Sequence, residues 1–570
     1  MTLNLERIPS LLGAFLLMCA LSAQARPDHP DQATIATAHP QATAAGREIM
    51  IAGGNAFDAA VAISAVLAVV EPYACSLGGG GFFLLRQAGE PVQYQFLDAR
   101  EKAPLKTRSD LYRRNGILQS DLSLDGPLAA AIPGLPAALV ELAEQHGRLP
   151  LSISLAPAIR TAYEGFPVDA AYRAQASWRL FALRANRESA RLFLRNNNIP
   201  ALGEMIKQPE LAATLDRLAD KGHGGFYGGL TAQAMVNSVR SAGGIWSFHD
   251  FEQYEVITRQ PLRFALADER ELITAPPPSA GGIALAQSLF MLQQLPWRES
   301  EKTQRVHYVT EVLRRVYRDR ELFGDPDFVP NPLAQVLAPD YLMQRVTSIE
   351  PRMATQSVAL APAPRWREGN NTTHFTVLDS EGNAVAATLS LNLPFGSTFT
   401  VPGTGVVLND EMDDFAAEQA DTNAAGPASN PANAMRPGKR PLSSMSPSFI
   451  ESPRNFAAFG TPGGSRIPSA VLLSVLEYLD EQPVAQWASV TRYHHQYLPD
   501  VLEHEPDAFN RAEVEDLQAR GYRLKDTMRP YGNQQVLFWN KANASTEAAS
   551  DPRGLGVSVV FRPDVPIKPK

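Results

Sequence analysis

Thr372 stands in the run Asn370-Asn371-Thr372-Thr373-His374-Phe375, where a stretch rich in Pro, Ala and Arg gives way to an alternating one. A hydroxyl is a weak nucleophile by itself, and an adjacent amine activates it. Cleavage of the Asn371–Thr372 peptide bond would give one residue both groups. A freed α-amine titrates at about 8, close to what a general base at neutral pH requires. The same residues have two plainer readings. Asn370-Asn371-Thr372 and Asn371-Thr372-Thr373 are both glycosylation sequons, and threonines are ordinary β-formers at a strand start. The local motif alone does not decide between them.

Other groupings attract attention and are set aside. His494 and His495 are adjacent, so they share no helix face and lack the wider spacing of a zinc pair. Asp325-Pro326-Asp327 reads as a structural turn rather than a calcium loop. Gly78-Gly79-Gly80-Gly81 lacks the Lys-Ser/Thr of a phosphate loop and reads as a close backbone crossing. No metal site and no cofactor are expected.

The elements that must position Thr372 are legible around it. Thr373 to Leu378 alternates, Asp379 to Asn383 is a turn, and Ala384 to Leu391 is a second strand, together a hairpin. A further strand pair, Ser448 to Ile450 and Phe456 to Phe459, runs into Thr461-Pro462-Gly463-Gly464. Near the other end, Phe82 to Leu85 and Tyr94 to Leu97 read as strands. Thr43 to Ile51 reads as a helix stopped by Gly53-Gly54. Ala56 to Val70 is a second helix, apolar on most faces and therefore buried. The middle, about 140 to 330, reads as mainly helical, with Val306 to Phe323 its clearest helix. Pro276-Pro277-Pro278 is a turn or extended connection, and Pro351 to Gly369 an exposed connector. Residues 416 to 438 have no periodicity and form a loop candidate. Strands near both ends predict sheets packed face to face under helical layers, in one compact unit.

Composition sets the outer bounds. The chain has 570 residues, 45% hydrophobic and 20% charged, a globular balance. A net charge of -8 gives no pull towards nucleic acid. Arg7, the apolar run Leu11 to Ala20 and Ala23-Gln24-Ala25 read as an export signal over residues 1–25, hence a periplasmic or secreted protein. Glu6 weakens that pattern, and an uncleaved anchor is the competing reading. Met18 argues against lipidation at Cys19. Signal removal would leave Cys75 alone, without an intramolecular disulfide. No later stretch is long and apolar enough to span a bilayer.

Asn371-Thr372-Thr373-His374-Phe375, followed by Asp379-Ser380-Glu381-Gly382-Asn383-Ala384-Val385-Ala386, resembles the processing junction of the γ-glutamyltransferase (glutathione hydrolase) family. Further similar blocks are Gly53-Gly54-Asn55-Ala56-Phe57-Asp58, Leu77-Gly78-Gly79-Gly80-Gly81-Phe82, Ala131-Ile132-Pro133-Gly134 and Gly324-Asp325-Pro326-Asp327-Phe328. Lys439-Arg440-Pro441-Leu442-Ser443-Ser444, Pro462-Gly463-Gly464-Ser465-Arg466 and Tyr493-His494-His495-Gln496 complete the set. The resemblance implies an α+β Ntn-hydrolase fold, a four-layer αββα sandwich with two mostly antiparallel sheets. It implies self-cleavage at Asn371–Thr372 into a large subunit, 26–371, and a small one, 372–570, held in one domain. Thr372 would attack a γ-glutamyl amide such as that of glutathione and pass the acyl group to water, an amino acid or a peptide. By the same resemblance Gly463 and Gly464 form the oxyanion hole, where glycine lets N–H groups approach closely. Ser390 supplies a second hydroxyl beside the nucleophile. Arg100, with Ser443 and Ser444, takes the α-carboxylate, for which a guanidinium fork is suited. Asn392, Glu411 and Asp414 face the α-ammonium.

One departure stands out. Bacterial relatives commonly carry a tyrosine in the lid loop, and residues 416 to 438 contain no aromatic residue. The balance between water and an acceptor amine is therefore open, as are the physiological donor and acceptor. Two alternatives remain: a cephalosporin or glutaryl acylase on the same fold, and an inactive exported homologue that binds ligands.

Overall fold

The Thr372 strand, Asn371–Leu378, turns at Asp379 and pairs with Ala384–Asn392. Asp379 builds the turn, because its carboxylate accepts from the backbone N–H groups of Glu381 and Asn383, each at 2.9 Å. Its other oxygen accepts from Ala56 N at 3.0 Å and so ties the hairpin to the helix Ala56–Val70. Every residue of that helix is buried. Asn55 and Asp58 form a capping box at its start, which contributes about 1 kcal/mol.

The computed structural model describes residues 29–360, 371–416 and 430–563. The expected signal over 1–25 lies outside them, as do 361–369 of the connector and 417–429 of the loop. Among the described residues the hairpin is the middle of a seven-stranded sheet. Its order is Val557–Phe561, Ala33–Thr37, Asn371–Leu378, Ala384–Asn392, Gly80–Gln87, Gln93–Ala99 and Ile257–Arg259. A six-stranded sheet runs Thr546–Ser550, Gln535–Asn540, Asn455–Gly460, Ser448–Glu451, Glu271–Thr274 and Leu262–Ala265. All pairings within both sheets are antiparallel.

Alternation along each strand decides which layer a side chain joins. Phe83, Leu85, Leu97, Phe375 and Val377 pack with the helices Pro40–Ile51 and Ala56–Val70. Phe82, Leu84, Phe96 and Leu378 face the opposite way and pack against the second sheet. Gly281–Gln293, Lys302–Asp319 and Ile467–Leu479 belong to the same second core and cover the outer side of that sheet. This is the expected αββα sandwich.

Several boundaries differ from the sequence reading. The first helix begins at Pro40 rather than Thr43, since His39 caps it and proline fits a first turn. The helix read as Val306 to Phe323 spans Lys302–Asp319 and ends in a short tight turn, Arg320–Leu322. Ala33–Thr37 is a strand that the sequence reading does not name, and its Thr34 and Thr37 are buried in the sheet. The middle of the chain is not wholly helical. It also supplies Ile257–Arg259, Leu262–Ala265 and Glu271–Thr274, strands too short for a clear alternation.

The glycine run does make the close crossing. A Cβ at Gly79 would lie 2.3 Å from the Ser390 carbonyl oxygen, and one at Gly81 would lie 2.4 Å from that of Thr388. Glycine thus lets Gly80–Gln87 press against the strand that carries Ser390. Gly81→Ala is expected to lower stability by about 1–3 kcal/mol through overpacking. Thermal unfolding measures this, and an unchanged midpoint would contradict the crossing argument.

Candidate active site

Thr372 lies at the end of the central hairpin and is 5% exposed. Pairing is irregular there. Asn371 sits opposite Asn392 and Thr372 opposite Ser390, so Leu391 is an extra residue. A bulge of this kind bends a strand and re-aims side chains. It falls at the bond before Thr372. The Ser390 hydroxyl donates to the Asn371 carbonyl at 3.4 Å and accepts from Asn392 N at 2.9 Å. The Asn371 amide donates to the carbonyl of Tyr73. Both the carbonyl and the side chain of Asn371 are therefore held.

Asn392 takes a left-handed backbone, φ 76°, which asparagine tolerates. Its amide donates to the Asp410 carbonyl at 3.1 Å and to the Asp410 carboxylate at 3.3 Å. It thereby joins the Thr372 hairpin to the acidic run. That run leads into the turn Glu411–Asp414, where Glu411 and Asp414 are buried.

Arg100 is at the centre of this region and 1% exposed. Its guanidinium reaches Glu411 at 2.8 Å, Asp414 at 2.5 Å and Glu101 at 3.6 Å. It also donates to the carbonyls of Pro441 and Leu442, each at 3.4 Å. Burial works against the Arg100 charge, but Glu411, Asp414 and Glu101 outweigh it and hold its pKa above the ordinary value. Burial also raises Glu411, against the pull of Arg100. Three carboxyl groups thus surround one guanidinium in a dry site. A cationic group would complete their charge balance, and a carboxylate would compete with them for Arg100.

Ser443 and Ser444 follow directly on the carbonyls that Arg100 contacts. The Ser443 hydroxyl accepts from Met445 N at 3.1 Å, and Ser444 accepts from Arg320 Nε at 3.2 Å. Gly463 and Gly464 have φ of 141° and 56°, a conformation that favours glycine. Gly464 opens a short turn, Gly464–Arg466, that leads into the helix Ile467–Leu479. Backbone N–H groups at a helix start favour negative charge.

Sequence reading passed over several members. Glu101 is fully buried, and among the described residues neither of its carboxyl oxygens has a hydrogen-bond partner. Its place beside Arg100 was the available signal. Asn433 donates to the Asp414 carbonyl at 2.7 Å and accepts from Leu442 N at 2.9 Å, so the described end of the 416–438 loop braces the Arg100 cluster. Glu71, which accepts from Tyr73 OH at 3.3 Å, backs the residue that holds Asn371. His494 and His495 serve separate contacts, His494 with Ser469 at 2.8 Å and His495 with Asp500 at 3.1 Å.

Residues 42–561 match the gamma-glutamyltranspeptidase family. The glutathione hydrolase proenzyme of Pseudomonas aeruginosa is 39% identical over 535 residues, covering 90% of this chain and 92% of the relative. That of Escherichia coli K12 is 34% identical over 543 residues, covering 93% and 92%. Among solved structures, a cephalosporin acylase from Bacillus halodurans matches with a TM-score of 0.82 at 24% identity, over 98% of this chain and 99% of its own, a likeness of fold. The gamma-glutamyltranspeptidase of Helicobacter pylori matches at 32% identity with a TM-score of 0.54, over 56% of this chain and 91% of its own. The chain belongs to the gamma-glutamyltranspeptidase family and has the Ntn-hydrolase fold. It is an enzyme of the γ-glutamyltransferase class.

Burial raises Glu101 from the ordinary 4.5 to about 7, with Arg100 pulling the other way. A raised carboxyl pKa means that the folded state keeps a proton the unfolded chain has lost. The resulting stabilisation is complete below pH 4.5 and is lost as pH rises through about 7. Glu101→Gln mimics the protonated form at every pH. Urea unfolding at pH 5 and pH 8 should therefore show a smaller loss in the variant, by on the order of 2–3 kcal/mol. Equal slopes would place Glu101 in its ionised form throughout.

Proposed function

We propose that this enzyme is an exported γ-glutamyltransferase and glutathione hydrolase whose nucleophile, Thr372, is freed by cleavage of the Asn371–Thr372 bond. The observation that carries the reading is the surplus of buried carboxyl groups around Arg100, joined through Asn392 to the hairpin that bears Thr372. A γ-glutamyl group ends in an α-carboxylate and an α-ammonium. The carboxylate goes to Arg100, assisted by Ser443 and Ser444. The ammonium goes to Glu411 and Asp414, with Asn392 beside them. This orients the γ-carbonyl towards Thr372.

In processing, the Thr372 hydroxyl attacks the Asn371 carbonyl, the C–N bond breaks and the α-amine takes up a proton. Water then hydrolyses the ester and leaves Asn371 as a carboxylate. The bulge at this bond and the Ser390 hydroxyl on the Asn371 carbonyl support that step. In turnover, the free α-amine accepts the hydroxyl proton as Thr372 attacks the γ-amide. N–H groups of Gly463 and Gly464 stabilise the oxyanion. The proton passes to the leaving amine, cysteinylglycine when glutathione is the donor, and a γ-glutamyl ester remains. Water, an amino acid or a peptide takes the acyl group from it.

Subunits 26–371 and 372–570 stay together in this reading because each supplies strands to both sheets. Among the described residues no helix is long and apolar enough to cross a membrane. A glutaryl group lacks the ammonium and would leave the acidic surplus unbalanced, which disfavours the acylase alternative.

Wild type and Thr372→Ala, compared on a denaturing gel and with γ-glutamyl and glutaryl anilides, test the reading. Wild type should run as two fragments and prefer the γ-glutamyl anilide. Thr372→Ala should stay uncut, with activity lower by at least about 10³-fold. An uncut but active Thr372→Ala would sink the mechanism, and a preference for the glutaryl anilide would reassign the enzyme. The intact mass of purified wild type reads signal removal and the Asn371–Thr372 cut together.

A further inference from the structure

His374 lies two residues beyond Thr372, so both side chains project from the same face of their strand. Its imidazole is fully buried between the two sheets. The register sets it opposite Thr388, whose hydroxyl lies 2.9 Å from Nδ1. The ring lies directly over Gly460, the last residue of Asn455–Gly460. A Cβ at Gly460 would stand 2.1 Å from Cε1, 2.3 Å from Nε2 and 2.5 Å from Nδ1. Real Cβ atoms essentially never come within 3.0 Å of another group, so ring and strand touch with no room to spare. Gly460 is followed by Thr461 and Pro462 and then by Gly463-Gly464.

We infer that His374 is a positioning residue, a spacer whose imidazole, seated on Gly460, sets the distance between the Thr372 strand and the Gly463-Gly464 turn. The inference rests on the reading of Thr372 as nucleophile and of the two glycines as oxyanion donors. Such donors must lie about 2.7–3.1 Å from the oxyanion, and a misplacement of about 1 Å costs about 10²-fold in rate. The gap between the two strands is therefore a catalytic quantity. The ring fills it as a rigid plate, fixed in plane by Thr388. It is not arranged for proton transfer, because burial drives its pKa down to about 3 and leaves it neutral.

The test compares Gly460→Ala, His374→Ala and the double variant, with turnover of a γ-glutamyl anilide measured per processed chain. Gly460→Ala forces ring and strand apart by about an ångström and should lower kcat by about 10²-fold. Donor KM should hold within about threefold, because Arg100 and its carboxylates lie on other segments. His374→Ala removes the spacer and should also lower kcat. In the double variant the new Cβ occupies part of the vacated space. Its kcat should exceed the product of the two single losses by at least about tenfold. Wild-type kcat in Gly460→Ala, or strictly multiplicative losses in the double variant, would overturn the spacer. If Gly460→Ala does not fold, recovery of folding in the double variant supports the inference and its failure there overturns it. The underlying reading fails separately, through inactive wild type or active Thr372→Ala.

Discussion

The strand Asn371–Leu378 is buried throughout, paired along its whole length on one edge and from Phe375 to Leu378 on the other, and the rest of the structure follows from that confinement. Ala33–Thr37 holds one edge and Ala384–Asn392 the other. A strand so placed has little freedom to move without disturbing two cores. Its one irregularity lies at the terminus, between Asn371 and Thr372. Support from Ala384–Asn392 up to Thr372, with a break in regular pairing at the bond before it, suits the proposed role of Thr372, a nucleophile exact in position and newly freed at its amine.

Around that strand the electrostatics are set by burial. An unpaired charge in a dry site is penalised by several kcal/mol, and one guanidinium among three carboxyl groups satisfies only part of the demand. Arg100 keeps the cluster together, while Asn392 and Asn433 carry its position to the hairpin and to the loop. In the proposed reading the cluster is arranged for exchange. A zwitterionic head group would replace internal ion pairs with its own, giving its carboxylate to Arg100 and its ammonium to the acids. Neither half of that exchange is favourable alone, since each would leave a buried charge without a partner.

Much of this was legible in the sequence, for reasons that differ by element. The helix Ala56–Val70 is apolar on most faces, and the hairpin after Thr372 alternates cleanly, so both were found. Ala33–Thr37 was missed because a buried threonine looks the same in sequence as an exposed one. Ile257–Arg259 and Leu262–Ala265 are edge strands of three and four residues, too short to show a period. At the site, Arg100, Glu411 and Asp414 were selected together, but their mutual pairing is a tertiary fact. Glu101 escaped because a carboxyl next to an arginine in sequence usually points to water. Gly460 gave no signal at all, since what requires glycine there is a ring from the other sheet.

The fold and the chemistry have separate determinants. A cephalosporin acylase shares this architecture across 98% of the chain at 24% identity. A shared fold does not specify the chemistry, so the layered sheets by themselves do not name the acyl group. What distinguishes an amino-acid head group from a plain dicarboxylate is the presence of an ammonium. In the proposed reading, the feature that answers to it is the excess of acid over base around Arg100. On the proposed reading, selectivity resides in a few buried side chains at the loop Asn409–Phe415 and at Glu101, while the sandwich supplies the fixed frame on which their charges are counted.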